Sequence, residues 1–189
     1  EYFYHSQWIK HDSTVTKEYD ALNHVLIAKN SNYYGTPANI LPIRTETFDS
    51  KGLVLKEEKK YPTDSAGTNP YNRMVANNMI NAFIESKTYR NNDHLYTTKN
   101  NFYDFSESIA AGYPVIINPV TVKVQKGAGA VETRIRFHKY DTKGNVIELS
   151  KENDVKLTYI WDYQKMFPVA ECSGADSISI AYTSFEAES

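Results

Sequence analysis

The sequence predicts an all-β, mainly antiparallel fold, a meander of long hairpins whose sheet curves or rolls, with at most one or two short helical turns. Three observations lead there. The chain holds 15 Tyr and 8 Phe, residues that with Val, Ile and Thr favour strands over helices. In its clearest segments apolar and polar residues alternate with a period of two. Between such segments stand Asp-x-x-Gly and Asn-containing stretches, the chemistry of tight reversals.

From the N-terminal side, the first reversal is Tyr19-Asp20-Ala21-Leu22-Asn23, with Asn where a positive φ is needed and better tolerated than by most residues. Residues 31–41 are rich in Asn, Gly and Pro and read as a loop. A strand is expected over 42–48, a type I turn with a following bulge at Asp49-Ser50-Lys51-Gly52, and a returning strand over 53–61. Residues 62–71 read as a second loop, and the stretch 62–72 is a possible sub-boundary in what is otherwise one module over 1–189. Residues 72–81 suit a single helical turn, with Met74, Val75, Met79 and Ile80 partly on one side.

Strand character resumes over 82–90 and 95–105, around the looser reversal Tyr89-Arg90-Asn91-Asn92-Asp93. Residues 109–114 and 126–130 read as breaks, the second as a mobile loop. The segment after it is the most regular. Val131, Thr133, Ile135 and Phe137 alternate with Glu132, Arg134, Arg136 and His138, giving one buried and one wet face. Asp141-Thr142-Lys143-Gly144 turns the chain, 145–150 returns, 151–154 turns again, and Val155, Leu157, Tyr159, Trp161 and Tyr163 line one face of a third strand. The aromatic residues before the four reversals, Tyr19, Phe48, Tyr89 and Tyr140, are 29, 41 and 51 residues apart. An elastic spacing of that kind suits hairpins of unequal length and argues against a solenoid of fixed rung height.

Composition narrows the function. A net charge of −2 with interspersed signs offers no basic stripe to neutralise phosphates, so nucleic acid is not an expected partner. No apolar run approaches the ~18 residues that suggest a membrane-spanning helix. Cys172 is the only cysteine, which excludes an intrachain disulfide and a cysteine-based zinc site and reads as a small half-buried residue. The chain starts at Glu1 without a leader-like segment and stops without a tail, so both ends read as cuts in a larger protein.

Chemistry is sparse. His5 and His11 are six apart, a spacing that fits neither a strand-borne nor a helical ligand pair. His94 falls in a turn and His138 on a polar strand face, where a cross-strand partner explains it. Glu57 and Glu58 belong to a solvated charge run with Lys56, Lys59 and Lys60. No Gly-x-Ser-x-Gly, phosphate loop or dinucleotide fingerprint occurs. The expectation is therefore no enzyme, no metal and no cofactor. Tyr159, Trp161, Tyr163 and Trp8 are the aromatics that could stack on a sugar or protein ligand, with sheet packing as the simpler role for the first three.

Tyr140, Asp141, Gly144 and Asn145 resemble the YD repeat of Rhs-like proteins of Gram-negative bacteria, and Phe48, Asp49 and Gly52 form a looser copy without the Asn. The resemblance implies a strip of β-hairpins that coils into a shell in a larger secreted or surface-displayed protein, sometimes joined to a toxin or interaction domain. Its partners would be neighbouring repeats of the parent chain, with a carbohydrate or protein ligand as the alternative. The motif letters are turn chemistry and sheet packing, so the resemblance carries over no catalytic residue.

Overall fold

The computed structural model describes residues 9–35, 40–106 and 115–182, and these form one open antiparallel sheet. Its eleven strands are β1 (Ser13–Tyr19), β2 (Val25–Tyr34), β3 (Pro42–Phe48), β4 (Val54–Lys60), β5 (Glu85–Arg90), β6 (Asp93–Asp104), β7 (Ile117–Lys126), β8 (Val131–Tyr140), β9 (Val146–Lys151), β10 (Lys156–Asp162) and β11 (Phe167–Ser173). They lie side by side in sequence order, so every pairing joins neighbours along the chain, and among the described residues β1 and β11 are the edge strands. The expected all-β meander is what the chain forms.

A single layer leaves little to bury. Among the described residues only Tyr61, Pro62, Met74, Ile84, Ile116 and Ile117 are buried apolar side chains. The chain exposes 13237 Å², against the roughly 9,200 Å² that a compact protein of its mass would show. Both faces are wet over the middle of the sheet, which explains how the charge run 56–60 can lie inside a central strand. On one face Arg44 stands opposite Glu58 and Glu58 opposite Lys87, while Glu46 faces Lys56 and Lys56 faces Tyr89. Carboxylates and cations also pair along the strands, Arg44 with Glu46 at 3.3 Å, Lys56 with Glu58 at 3.0 Å and Lys59 with Glu57 at 3.0 Å. Exposed pairs contribute about 0–1 kcal/mol each. Cohesion therefore rests chiefly on the backbone ladder and on cross-strand side-chain pairs worth roughly 0.2–1 kcal/mol apiece.

Between β4 and β5 a 3-10 turn (Pro62–Ser65) and α1 (Tyr71–Ala76) rise from the sheet. This is the helical turn expected near 72–81, and it buries Met74 completely. Arg73 ties it to Asp104 at the end of β6. Beneath it the ladder closes without a gap: Ile84 N donates to Lys60 O at 2.7 Å, and β4 pairs with β5 from Lys60↔Glu85 to Leu55↔Arg90.

Register shifts interrupt the ladders between Tyr33 and Tyr34, Thr88 and Tyr89, Asn101 and Phe102, Val122 and Lys123, and Ile160 and Trp161, and twice in the β8–β9 pair. Each inserts local bend and twist. Several expectations change accordingly. Residues 31–34 are not loop: they continue β2, because Ser31, Asn32 and Tyr33 find partners in Glu46, Thr45 and Arg44. The stretch 126–130 is a tight hairpin end, with Gly127 N bonded to Leu95 O at 2.8 Å and Gln125 Nε2 to Gly129 O at 2.9 Å. The break expected at 109–114 lies outside the described residues.

An open single layer is larger than a globule. Small-angle scattering should give a radius of gyration clearly above the ~16 Å of a compact chain of this length; a value at that compact limit would contradict the open sheet.

Candidate functional site

The Tyr140–Asn145 motif and three candidate stacking residues, Tyr159, Trp161 and Tyr163, meet at one end of the sheet, where the β8–β9 and β10–β11 turns touch. Asp141 builds the first turn. Its N–H donates to Asn145 O at 2.9 Å, and Gly144 N donates back to Asp141 O at 3.0 Å. Asp141 Oδ1 accepts from Lys143 N at 2.8 Å and Asn145 N at 2.9 Å, and Oδ2 accepts from Asn145 Nδ2 at 3.0 Å. Gly144 lies at φ 85, the left-handed region that glycine enters without steric cost.

The same reversal occurs twice more. Asp49 Oδ1 accepts from Lys51 N at 2.9 Å and Leu53 N at 2.8 Å, with Gly52 at φ 77. Asp20 Oδ1 accepts from Leu22 N and His24 N, both at 2.8 Å, with Asn23 at φ 61. The loose copy at Tyr19 is thus a full copy in geometry, whereas the one at Tyr89 is a shorter two-residue reversal with Asn91 at φ 53. The aromatic residue before each turn varies in its surroundings. Tyr140 sits in a chain of rings, 5.3 Å from Phe105 and 5.9 Å from Phe137, and its hydroxyl donates to Pro119 O at 2.5 Å. Burial raises its pKa. Phe48 lies under Lys29, and Tyr19 is exposed.

Only the turn at Asp141 is followed by Asn. The Asp49 hairpin meets the next turn where Val54 N donates to Asn91 Oδ1 at 3.0 Å, whereas at Asp141 side chains of both turns clasp one another. Tyr163, Gln164 and Lys165 form three consecutive left-handed residues at φ 51, 58 and 62. Such backbone costs about 1–2 kcal/mol per non-glycine residue. The opposing contacts are specific. Asn145 Nδ2 donates to Lys165 O at 2.8 Å, the Lys143 ammonium donates to Gln164 O, and the Lys165 ammonium donates to Thr142 Oγ1 at 3.2 Å. Tyr163 N bonds to Asp162 Oδ1 at 2.7 Å. Hydrogen bonds from charged donors contribute about 1.5–3 kcal/mol and neutral ones about 0.5–1.5, enough to offset the backbone cost.

Beside the clasp lies a depression of about 230 Å³ bounded by Asp141, Ile147, Thr158, Tyr159, Ile160, Trp161, Lys165 and Ser177. Asp141 borders it with its carboxylate already taken by the turn. Trp161 is pinned by Nε1 donating to Val146 O at 2.8 Å. The Tyr159 hydroxyl is held above its ordinary pKa by burial first and then by the Glu171 carboxylate. Tyr163 does not continue the row of Tyr159 and Trp161, because the register shift after Ile160 and the left-handed turn carry it off the strand. It meets Phe167 edge-on at 6.2 Å and 78° instead, and Tyr163, Met166 and Phe167 are 45%, 60% and 59% exposed. Trp8 lies outside the described residues. Phe167, Met166 and the clasping lysines were not anticipated, since nothing in Asp-Tyr-Gln-Lys-Met signals a left-handed turn.

Ser177 closes one side. Its N–H donates to Glu148 Oε1 at 2.8 Å, and its Oγ accepts from Lys139 Nζ at 3.0 Å. The Ser177 hydrogen bonds and the nearby Lys156 and Lys139 charges hold Glu148 below the ordinary glutamate pKa. Cys172 is half-buried on β11. Among the described residues no group of three or more His, Cys, Asp or Glu could hold a metal, and no helix is long and apolar enough to cross a membrane. No family model matches this chain, and no curated protein matches it.

Two outcomes follow. A Cβ at Gly52 would meet nothing within 4 Å, whereas one at Gly144 would lie 3.2 Å from Asn118 Nδ2. Gly52→Ala should therefore cost only the left-handed strain of about 1–2 kcal/mol, and Gly144→Ala about 1 kcal/mol more; equal shifts in urea midpoint would refute the comparison. Because the Glu148 pKa is lowered on folding, its contribution is complete above the ordinary value of 4.5 and is lost as pH falls through the lower folded value. The Ser177 amide resonance should move over that acidic window in the native chain and stay fixed in Glu148→Gln.

Proposed function

We propose that this chain is a non-catalytic structural and interaction module of an exported YD-repeat, Rhs-like protein, one stretch of a β-strip or shell whose partners are the neighbouring repeats of its parent. One observation carries the reading: eleven strands pair in unbroken sequence order within one open layer. An arrangement of that kind suits a length of wall, extended by adding further hairpins. Export and the place in a larger protein rest on the resemblance of Tyr140, Asp141, Gly144 and Asn145 to the repeat. The motif carboxylates are spent on backbone amides, which supports a geometric task and leaves them no acid–base work.

A second reading is favoured by one feature, the exposed Tyr163, Met166 and Phe167 at the tip of the β10–β11 hairpin. Apolar and aromatic groups beside a polar rim suit a carbohydrate or protein ligand.

Titrating the chain with soluble oligosaccharides while following tryptophan fluorescence separates the two, with Trp161→Phe assigning the signal. The wall reading expects no saturable change. A saturable change that disappears in Tyr163→Ala or Phe167→Ala would replace it with the binding-module reading.

A further inference from the structure

Away from the clasped turns, the face shared by β5, β6 and β7 breaks the charge pairing seen across the middle of the sheet. Lys99 on β6 stands directly opposite Glu85 on β5 and, on its other side, directly opposite Lys123 on β7. Like charges placed opposite one another in a sheet are destabilising. Glu85 does not relieve them, because it pairs with Lys87 at 3.2 Å and Lys60 at 3.8 Å. Glu85 is thus shared by Lys87 and Lys60, and among the described residues neither Lys99 nor Lys123 has a hydrogen bond, ion pair or ring contact. The contrast with Arg44, Lys56 and Lys59, each within 3.3 Å of a carboxylate, is local and sharp.

The two lysines border a depression of about 290 Å³ whose walls include Lys87, Asn101 and Gln125 and also Glu85, whose carboxylate is taken by Lys87 and Lys60. Asn101 Nδ2 donates one hydrogen to Thr121 Oγ1 at 2.7 Å, and Gln125 Nε2 donates one to Gly129 O at 2.9 Å. Each amide nitrogen keeps a second hydrogen. We propose that this depression binds a single tetrahedral oxyanion, a sulfate or phosphate group, between Lys99 and Lys123. Lysine ammonium groups act as point charges suited to such a group, and the free amide hydrogens of Asn101 and Gln125 can donate to its remaining oxygens. The neighbouring basic residues do not extend it into a track for a polyanion. On the β8 side Arg136 is bound by Glu152 at 2.6 Å, and on the β5 side Lys87 and Lys60 are held by Glu85 at 3.2 and 3.8 Å. The site therefore takes one anionic group, either a free ion or a group carried on a sugar.

The test is calorimetric and NMR titration of the whole chain with sodium sulfate, sodium phosphate and a monosulfated disaccharide, against sodium chloride at matched ionic strength. Saturable binding with shifts centred on Lys99, Asn101 and Lys123 is expected, and Lys99→Gln or Lys123→Gln should weaken it about tenfold. Equal affinity for sulfate ion and sulfated sugar would identify a free-ion site, and tighter binding of the sugar a carried group; both sustain the proposal. Without anion, Lys123→Gln should be at least as stable to urea as the native chain, and added sulfate should raise the midpoint of the native chain alone. A response no different from chloride, or one unaffected by both substitutions, would overturn it.

Discussion

An aspartate that accepts two amides of its own turn is the interaction on which the rest of this molecule depends. At residues 20, 49 and 141 the carboxylate fixes the same reversal, and each reversal sets the register of the hairpin it closes. With no second layer to correct a slipped strand, register has to be imposed from the ends of the strands. A sheet whose faces are mostly wet gains little from placing one set of side chains inward, so the turn bears a burden that core packing carries in a sandwich or barrel. The Asn that follows only the third copy extends this logic from one hairpin to the next, since Asn145 serves both its own Asp141 and the Lys165 carbonyl.

Much of this was legible because it is local. Asp-x-x-Gly predicts its own hydrogen bonds, and strands over 42–48 and 131–140 follow from short-range alternation. The Asn at 23 takes the glycine position of the longer motif, as its tolerance of positive φ suggests. Other parts were not legible, for physical reasons that can be named. Ser31 and Asn32 are poor strand formers whose place in β2 is decided by the strand beside them. The left-handed run at 163–165 is stabilised by residues some twenty positions away, which no local window reveals. The opposition of Lys99 and Lys123 needs a register that survives the shift after Asn101. Sequence distance hides each of these from inspection.

The position before the turn shows what the repeat conserves in geometry and what it leaves free. Tyr140, Phe48 and Tyr19 precede near-identical reversals, yet the first is wedged among rings, the second half-covered by a lysine and the third open to water. Turn and aromatic are therefore separable. The aspartate dictates direction, while the ring contributes only where neighbouring strands supply other rings to meet it, as Phe105 and Phe137 do.

Strand order without a crossover also has a kinetic consequence. Each strand needs only its predecessor to begin pairing, so loop-closure entropy is met one short turn at a time and no strand waits for a distant partner. Assembly can proceed as a zipper from any formed hairpin, and opening can proceed from either margin without melting the middle, the behaviour of a quasi-one-dimensional array. A chain built in this way is suited to vectorial folding: whatever has already emerged from a ribosome or a translocation channel is already able to take its final form.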